Sequence, residues 1–335
     1  REEFKNRTKT NKASMMLALV TIAILASILV VFSTNSSNNP TGEQNSSQGK
    51  QENLIDPSEI VSGGVPKDGI PSIDSPKFVS ADEADKWLDD DELVLALSYK
   101  GVNRVYPLQI MVWHEIVNDV VAGDPILVTY CPLCGSGIAY KREIDGEAVE
   151  FGVSGKLYNS NLVMYDRKTN TYWTQIDGKA VVGELAGKEL EPVSIDTTTW
   201  GEWKRAHPDS EVLSRETGYS RPYGHDPYGN YYTSNSLLFN VGKTDNTIHP
   251  KTVVFGVEVN GHYKAYKEQD LKQQPEIIDE IGGVRIKIER ENDGKVRVTN
   301  LATGKEIVKE RDFWFAWYAF HPDTELYNGS TSASE

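Results

Sequence analysis

Three observations predict a mainly β fold for this 335-residue chain. Strand-length runs of β-branched and aromatic residues recur, as in Ile126 to Tyr130 and Ile138 to Tyr140. Turn dipeptides punctuate them: Lys100-Gly101, Asp145-Gly146, Asp177-Gly178 and Asn260-Gly261. Helical patterns are confined to a few short stretches. The expected class is a β-rich α+β fold of antiparallel meanders and hairpins with a few short helices, preceded by one N-terminal transmembrane helix.

That first helix is read from Ala13 to Phe32, a run without a charge or a proline. About twenty apolar residues are enough to cross a bilayer core. The exit Ser33-Thr34-Asn35 lacks a small-residue cleavage pattern, so the segment reads as an uncleaved signal anchor. Residues 1–12 carry five positive and two negative charges, and no Lys or Arg follows the span until Lys50. The positive-inside bias then holds residues 1–12 in the cytoplasm and exports the rest, with the lipid bilayer as partner through residues 13–32. Of the formal charge of −14, the exported part carries −17. Such an acidic surface argues against nucleic acid and anionic membranes as partners, and it names no protein or small-molecule ligand.

Residues 33–62 are expected to form a flexible tether. Ser33 to Gln51 is rich in Ser, Asn, Gly and Gln and has too little apolar surface to offset its ordering entropy. The extracytoplasmic domain is then 63–327, with a disordered tail at 328–335. Asn35, Asn45 and Asn328 stand in Asn-x-Ser sequons. Gly63 to Phe78, with several Pro and Gly, should run as an extended strap. Ser80 should cap a short helix from Ala81 to Leu88, with Glu83 completing a capping box. Thr198 or Thr199 should open a helix over Trp200 to Ala206, ended by His207-Pro208. The closing Phe313 to Phe320 reads as a buried aromatic strand.

The chain also reads as duplicated, with halves at about 90–190 and 250–320. Val94, Gly101 and Tyr106 fall in register with Val254, Gly261 and Tyr266. The alternative is a chance alignment of two β-hairpins.

The two halves differ at the only two cysteines, in Tyr130-Cys131-Pro132-Leu133-Cys134-Gly135. The second half has Glu291-Asn292-Asp293-Gly294 there, an ordinary hairpin turn. A Cys-x-x-Cys pair at a hairpin, with no helix behind it, resembles a metal knuckle more than a dithiol at a helix N-terminus. A transition metal such as Zn or Cu is the expected cofactor, with Cys131 and Cys134 as ligands. His114, in Trp113-His114-Glu115, is the first choice to complete the site, and His225 the second. The alternatives are a redox-active dithiol for thiol–disulfide exchange, and a surface interaction domain with a structural Cys pair. The loop between the cysteines is too short for a disulfide to stabilise the fold by more than roughly 2 kcal/mol.

A polar meander follows, in which Ser154, Asn159, Asp166 and Arg167 either line a pocket or satisfy local turns and one another. No nucleophile elbow, phosphate loop, His-Glu-x-x-His or dinucleotide fingerprint occurs, so catalytic residues are not assigned and enzyme status is open.

Several of these stretches, in this order, carry a resemblance. Pro66-Lys67-Asp68-Gly69-Ile70-Pro71, Trp113-His114-Glu115, Tyr130 to Gly135, Ser154-Gly155-x-Leu157, Tyr165-Asp166-Arg167 and Asp226-Pro227-Tyr228 together resemble the prokaryotic family known as domain of unknown function 3179. The resemblance runs from about Gly64 to Leu326. It implies a membrane-tied or secreted β-rich domain and carries over no catalytic residues.

Overall fold

Two-residue turns with positive φ at both positions build the scaffold, among them Lys100-Gly101, Ala122-Gly123, Asn260-Gly261 and Gly282-Gly283. Such turns match the right-handed twist of the strands they join, so each closes a tight hairpin. They link Leu93–Tyr99 to Val102–Pro107, Ile116–Val121 to Asp124–Cys131, Val253–Val259 to His262–Lys267, and Glu276–Ile281 to Val284–Arg290. The computed structural model describes residues 53–329. The expected transmembrane helix at 13–32, the cytoplasmic segment and most of the tether lie outside the described residues. Among the described residues no helix is long and apolar enough to cross a membrane.

Among the described residues the strands form five sheets of four or five strands, arranged like the blades of a β-propeller, and one further two-stranded ladder. The mainly β expectation holds, and the propeller arrangement is what the sequence does not announce. One sheet holds Ile116–Val121, Asp124–Cys131, Ser136–Lys141 and Pro192–Val193. A second holds Phe151–Tyr158, Asn161–Asp166, Tyr172–Thr174 and Ala180–Val182, with Val61–Ser62 on its edge.

The element order recurs along the chain. Strand, strand, helix α2 (Leu108–His114), then three strands follow one another from Leu93 to Lys141. The same succession, with helix α4 (Glu268–Gln273), runs from Val253 to Asn300. Each run then receives an antiparallel strand, a short helix and a parallel strand. In the first these are Asp196–Thr199, α3 (Trp200–Ala206) and Glu211–Leu213. In the second they are Lys309–Phe313, α5 (Trp314–Phe320) and Glu325–Leu326.

Side chains repeat with the elements. Arg104 and Tyr106 reach Asp119 at 2.6 Å each, and Arg104 also meets Glu211 at 2.9 Å. In the second run Lys264 and Tyr266 reach Asp279 at 2.7 and 2.9 Å, and Lys264 lies 3.8 Å from Glu325. Trp200 donates to Asp85 at 2.7 Å as Trp314 does to Asp245 at 3.0 Å. Trp203 and Trp317 donate to Ser210 and Thr324.

Two local expectations change. Phe313 to Phe320 is not a strand: α5 occupies Trp314–Phe320 because Trp314 and Trp317, three apart, bury together against Val254 and Ala265, while Phe315 and Ala316 bury in another part of the core. His321 closes it as His207 closes α3, each followed by a proline that cannot continue a helix. Ser80 does cap α1 (Ala81–Ala84), accepting from the Glu83 N–H at 3.3 Å, but the helix tightens into turns before Leu88.

Asp119 joins two sheets, and removing its charge strands a half-buried guanidinium. Asp119→Asn is expected to destabilise the protein by about 3 kcal/mol in chemical denaturation. Asp279→Asn, at a more exposed ion pair, should cost less. Equal, negligible losses would show that neither aspartate ties its sheets together.

Candidate functional site

Cys131 ends one strand and Cys134 closes the turn before the next, which starts at Ser136. The turn is held by Cys134 N–H donating to the Cys131 carbonyl at 3.1 Å. Gly135 follows with φ of 62°, and a side chain there would strike the Phe313 ring at 2.8 Å. The pair therefore sits at a hairpin, as its sequence implies, with no helix N-terminus behind it. Both thiols are free, and both are buried, at 2% and 0% exposure.

A second turn meets them. Asn159 and Ser160 join Phe151–Tyr158 to Asn161–Asp166, both with positive φ, 50° and 62°. This turns the Ser160 carbonyl toward the sulfurs, 3.5 Å from Cys134 Sγ and 3.9 Å from Cys131 Sγ. Asn161 Nδ2 donates to Cys134 Sγ at 3.6 Å and to Gln175 Oε1 at 2.7 Å. Gln175 Nε2 in turn donates to Thr129 Oγ1 at 3.0 Å. A buried amide and hydroxyl network thus backs the dithiol.

The two sulfurs are not equivalent. Burial opposes ionisation of Cys131, but the neighbouring Cys134 thiol and the N–H groups of Leu162, Cys134 and Leu133 pull its thiol below the ordinary value. Burial, with the neighbouring Cys131 sulfur, pushes the Cys134 thiol well up. Of the two sulfurs, Cys131 is the one whose surroundings favour the thiolate. Glu115 lies close enough to feel that charge. Its carboxyl is held well above the ordinary range, by burial first and by Cys131 second. The residue caps α2 with φ of 59°, a left-handed conformation uncommon for a side chain of this size.

The predicted residues divide. His114 is buried, but its ring is already occupied. Nδ1 lies 2.7 Å from the Pro71 carbonyl, so it carries the proton and donates, and Nε2 accepts from the Tyr223 hydroxyl at 2.6 Å. Burial lowers its pKa, in keeping with a neutral imidazole. His225 is exposed on the surface. Among the described residues no group of three or more His, Cys, Asp or Glu is placed to hold a metal ion.

Of the four pocket candidates, Asn159 alone belongs to the turn beside the cysteines, and its Oδ1 accepts from the Gly242 N–H at 2.8 Å. Ser154 donates to the Val163 carbonyl. Asp166 accepts from Trp173 and Thr169, and Arg167 reaches Asp74, Glu150 and Ser72. These three serve turns and partners rather than a shared pocket. Nothing local in the sequence marks Ser160, Asn161 or Gln175; only Glu115 carried a hint, adjacent to His114.

A long segment from Ser214 to Thr252, without a strand, covers the site. Segments this long without strands are commonly functional covers. Tyr231 donates to the Leu133 carbonyl at 2.8 Å, and Ser160 Oγ to the Phe239 carbonyl at 2.7 Å. Lys251 fixes the segment from below, donating to the Ser234 and Ser236 carbonyls with its ammonium 3.9 Å from the Tyr231 ring centre.

Beneath the pair lies Asp312, fully buried, with neither oxygen in good hydrogen-bond geometry. Burial pushes its carboxyl up to about 7, tempered by the Ser136 hydroxyl. Its N-terminal neighbour in the same strand face, Glu310, is raised well above the ordinary range by burial and by Asp312.

The chain matches the family described as "Protein of unknown function (DUF3179)" over residues 67–309, and it belongs to that family. No curated protein matches the chain, and no solved structure does.

Two outcomes are expected here. Tyr231→Phe removes one bond of the cover, about 1 kcal/mol, so alkylation of the native dithiol should accelerate roughly five-fold. An unchanged rate would mean that the segment does not gate the thiols. The second concerns pH. A carboxyl whose folded pKa is raised binds its proton more tightly in the folded state. The stability this contributes is complete below about 4, the unfolded value, and is lost as pH rises through about 7. Asp312→Asn should therefore stabilise the protein at pH 8 relative to pH 5, by an amount on the order of 2 kcal/mol in denaturant titrations. A pH-independent effect would place the carboxyl's pKa near its unfolded value.

Proposed function

We propose that this member of the family carries a buried dithiol for thiol–disulfide exchange, Cys131 attacking and Cys134 resolving. The observation behind this reading is a pair of free, buried thiols in one turn, of which Cys131 has its thiolate favoured by the N–H groups of Leu162, Cys134 and Leu133. Thiolate character on one sulfur and a retained proton on the other is the division of labour that exchange needs. Cys131 thiolate attacks one sulfur of a partner disulfide, forming a mixed disulfide and expelling the partner's other sulfur as thiolate. Cys134 gives its proton to that thiolate and attacks the Cys131 sulfur. The mixed disulfide breaks and releases the second partner sulfur as a thiolate, which takes a proton from water. The Cys pair ends oxidised and the partner reduced, by two electrons. The reverse sequence delivers the disulfide to a partner.

We place this chemistry in an exported domain held to the membrane through residues 13–32. The apolar run and the charge bias around it support that placement.

A metal reading stands second. Backbone N–H groups on the Cys131 sulfur would suit a metal thiolate as well as a free one. Zinc needs further ligands, and His114 already uses both nitrogens. Copper(I), which soft thiolates select, fits the pair better.

The two readings separate on single variants of the full chain. With Cys134→Ser, oxidised glutathione should leave a stable mixed disulfide on Cys131, and Cys131→Ser should trap none. The wild-type pair should titrate as one two-electron couple with a potential above about −300 mV, the range below which structural disulfides lie. No trapped adduct, together with stoichiometric copper lost in the double Ser variant, would overturn exchange in favour of metal. Neither behaviour would leave the cysteines to packing alone.

A further inference from the structure

A second site lies between the two runs of the fold. The strand Ser136–Lys141 of one run faces Val253–Val259, Lys309–Phe313 and α5 of the other across a cavity of about 340 Å³. Its mouth passes exposed Val308 and Glu258. Gly256 makes the space possible: a side chain there would meet the Trp317 ring at 2.2 Å, so the indole lies against bare backbone.

The walls combine an apolar surface with carboxylates that lack cations. Ile138, Leu190 and Trp317 supply the apolar part, and Asp177, Glu258 and Glu310 the acidic part. The nearby lysines are already committed, Lys309 to Asp196 at 2.7 Å and Lys179 to Glu189 at 2.9 Å. Two polar atoms sealed from solvent on these walls have no partner, Glu310 Oε2 and His321 Nε2. The His321 ring is fixed by stacking on Tyr263 and Trp317, with centroids 4.4 and 4.2 Å away.

The other run shows what this imidazole does when a group is there to meet it. His207 ends the same Trp-x-x-Trp-x-x-x-His-Pro pattern and stacks on Trp203 at 4.0 Å. Its Nε2 is satisfied by Asp293 at 2.9 Å. In the second run the matching nitrogen, on a residue that lines the cavity, has no such partner.

We propose that this cavity binds a small organic ammonium ion, its N–H groups donating to Glu310 and His321 and its hydrocarbon body lying against Ile138, Leu190 and Trp317. A neutral imidazole accepts such a bond, and burial holds His321 neutral, at about 4. A cation also relieves the mutual repulsion of Glu310 with Asp312, Asp177 and Glu258. A divalent metal fits less well, because no three carboxylate or imidazole groups converge on one point among the described residues. This inference does not rest on the dithiol chemistry.

Calorimetry on the full chain tests it, with n-butylammonium as probe, n-butanol as neutral control, and Mg²⁺ and Mn²⁺ as metal controls. Butylammonium should bind at least ten-fold more tightly than butanol. Because the Glu310 carboxyl is held well above the ordinary range when the cavity is empty, binding at pH 7 should release a proton, read as a heat that depends on the buffer. Affinity should fall at least ten-fold at pH 5, an arm that needs no variant. Glu310→Gln, of nearly the same shape, should abolish the preference for the ammonium with thermal melting intact. Equal binding of butanol, metal ions binding where the amine does not, or an unchanged affinity in Glu310→Gln would each overturn the proposal.

Discussion

Sheets packed like propeller blades need something besides apolar contact to fix how each sits on the next. Here one aspartate per run performs that task, buried in the first run and part-buried in the second. Asp119 stands on one sheet and takes bonds from Arg104 and Tyr106 on its neighbour, and Arg104 continues to Glu211 on a third strand. A charge this buried is tolerable only when fully satisfied, so the geometry of the joint is set by its donors. Asp279 does the same for the second run, with Lys264 in place of Arg104. A guanidinium can donate to a carboxylate through two fixed N–H groups, whereas an ammonium is a point charge. The first joint is accordingly the more buried of the two.

On that frame the two runs diverge by addition. Between Lys141 and Pro192 the first run holds an extra sheet, Phe151–Tyr158 through Ala180–Val182, that the second lacks. This addition brings Ser160, Asn161 and Gln175 against the cysteine turn. The loop that separates the runs supplies the cover, with Tyr231 on the turn itself. A hairpin turn thereby becomes an enclosed dithiol. The second run keeps Asp293 in its turn, which is spent on His207.

The same strand, Lys309–Phe313, serves both regions. Phe313 donates its N–H to the Cys134 carbonyl at 2.7 Å, and Glu310 and Asp312 share its other face. Two neighbouring carboxyls without cations are costly as ions, and burial raises both well above the ordinary carboxylate range. Folding alone does not call for such groups, since apolar side chains of similar size would pack at lower cost. Their presence beside a dithiol and a cavity marks where stability gives way to chemistry.

Much was legible in the sequence because it is local. Lys100-Gly101 and Asn260-Gly261 imposed their hairpins through backbone conformation alone. Thr199 capped α3 where expected, and the spacing of the two cysteines placed them in one turn. The repeated Trp-x-x-Trp-x-x-x-His-Pro pattern also lies in the sequence, but the seven aromatic and alanine residues of α5 look like a strand by composition, and only the structure shows the helix. What surrounds the cysteines was not legible. His114 is near them in sequence, yet its ring nitrogens are taken by Pro71 and Tyr223, residues 43 and 109 positions away. Ser160 and Asn161 reach the sulfurs from 26 to 29 positions along the chain. Turn chemistry and periodicity act over a few residues, so the sequence alone determines them. Which side chain satisfies a buried polar atom depends on how the sheets pack, and only the tertiary structure decides that.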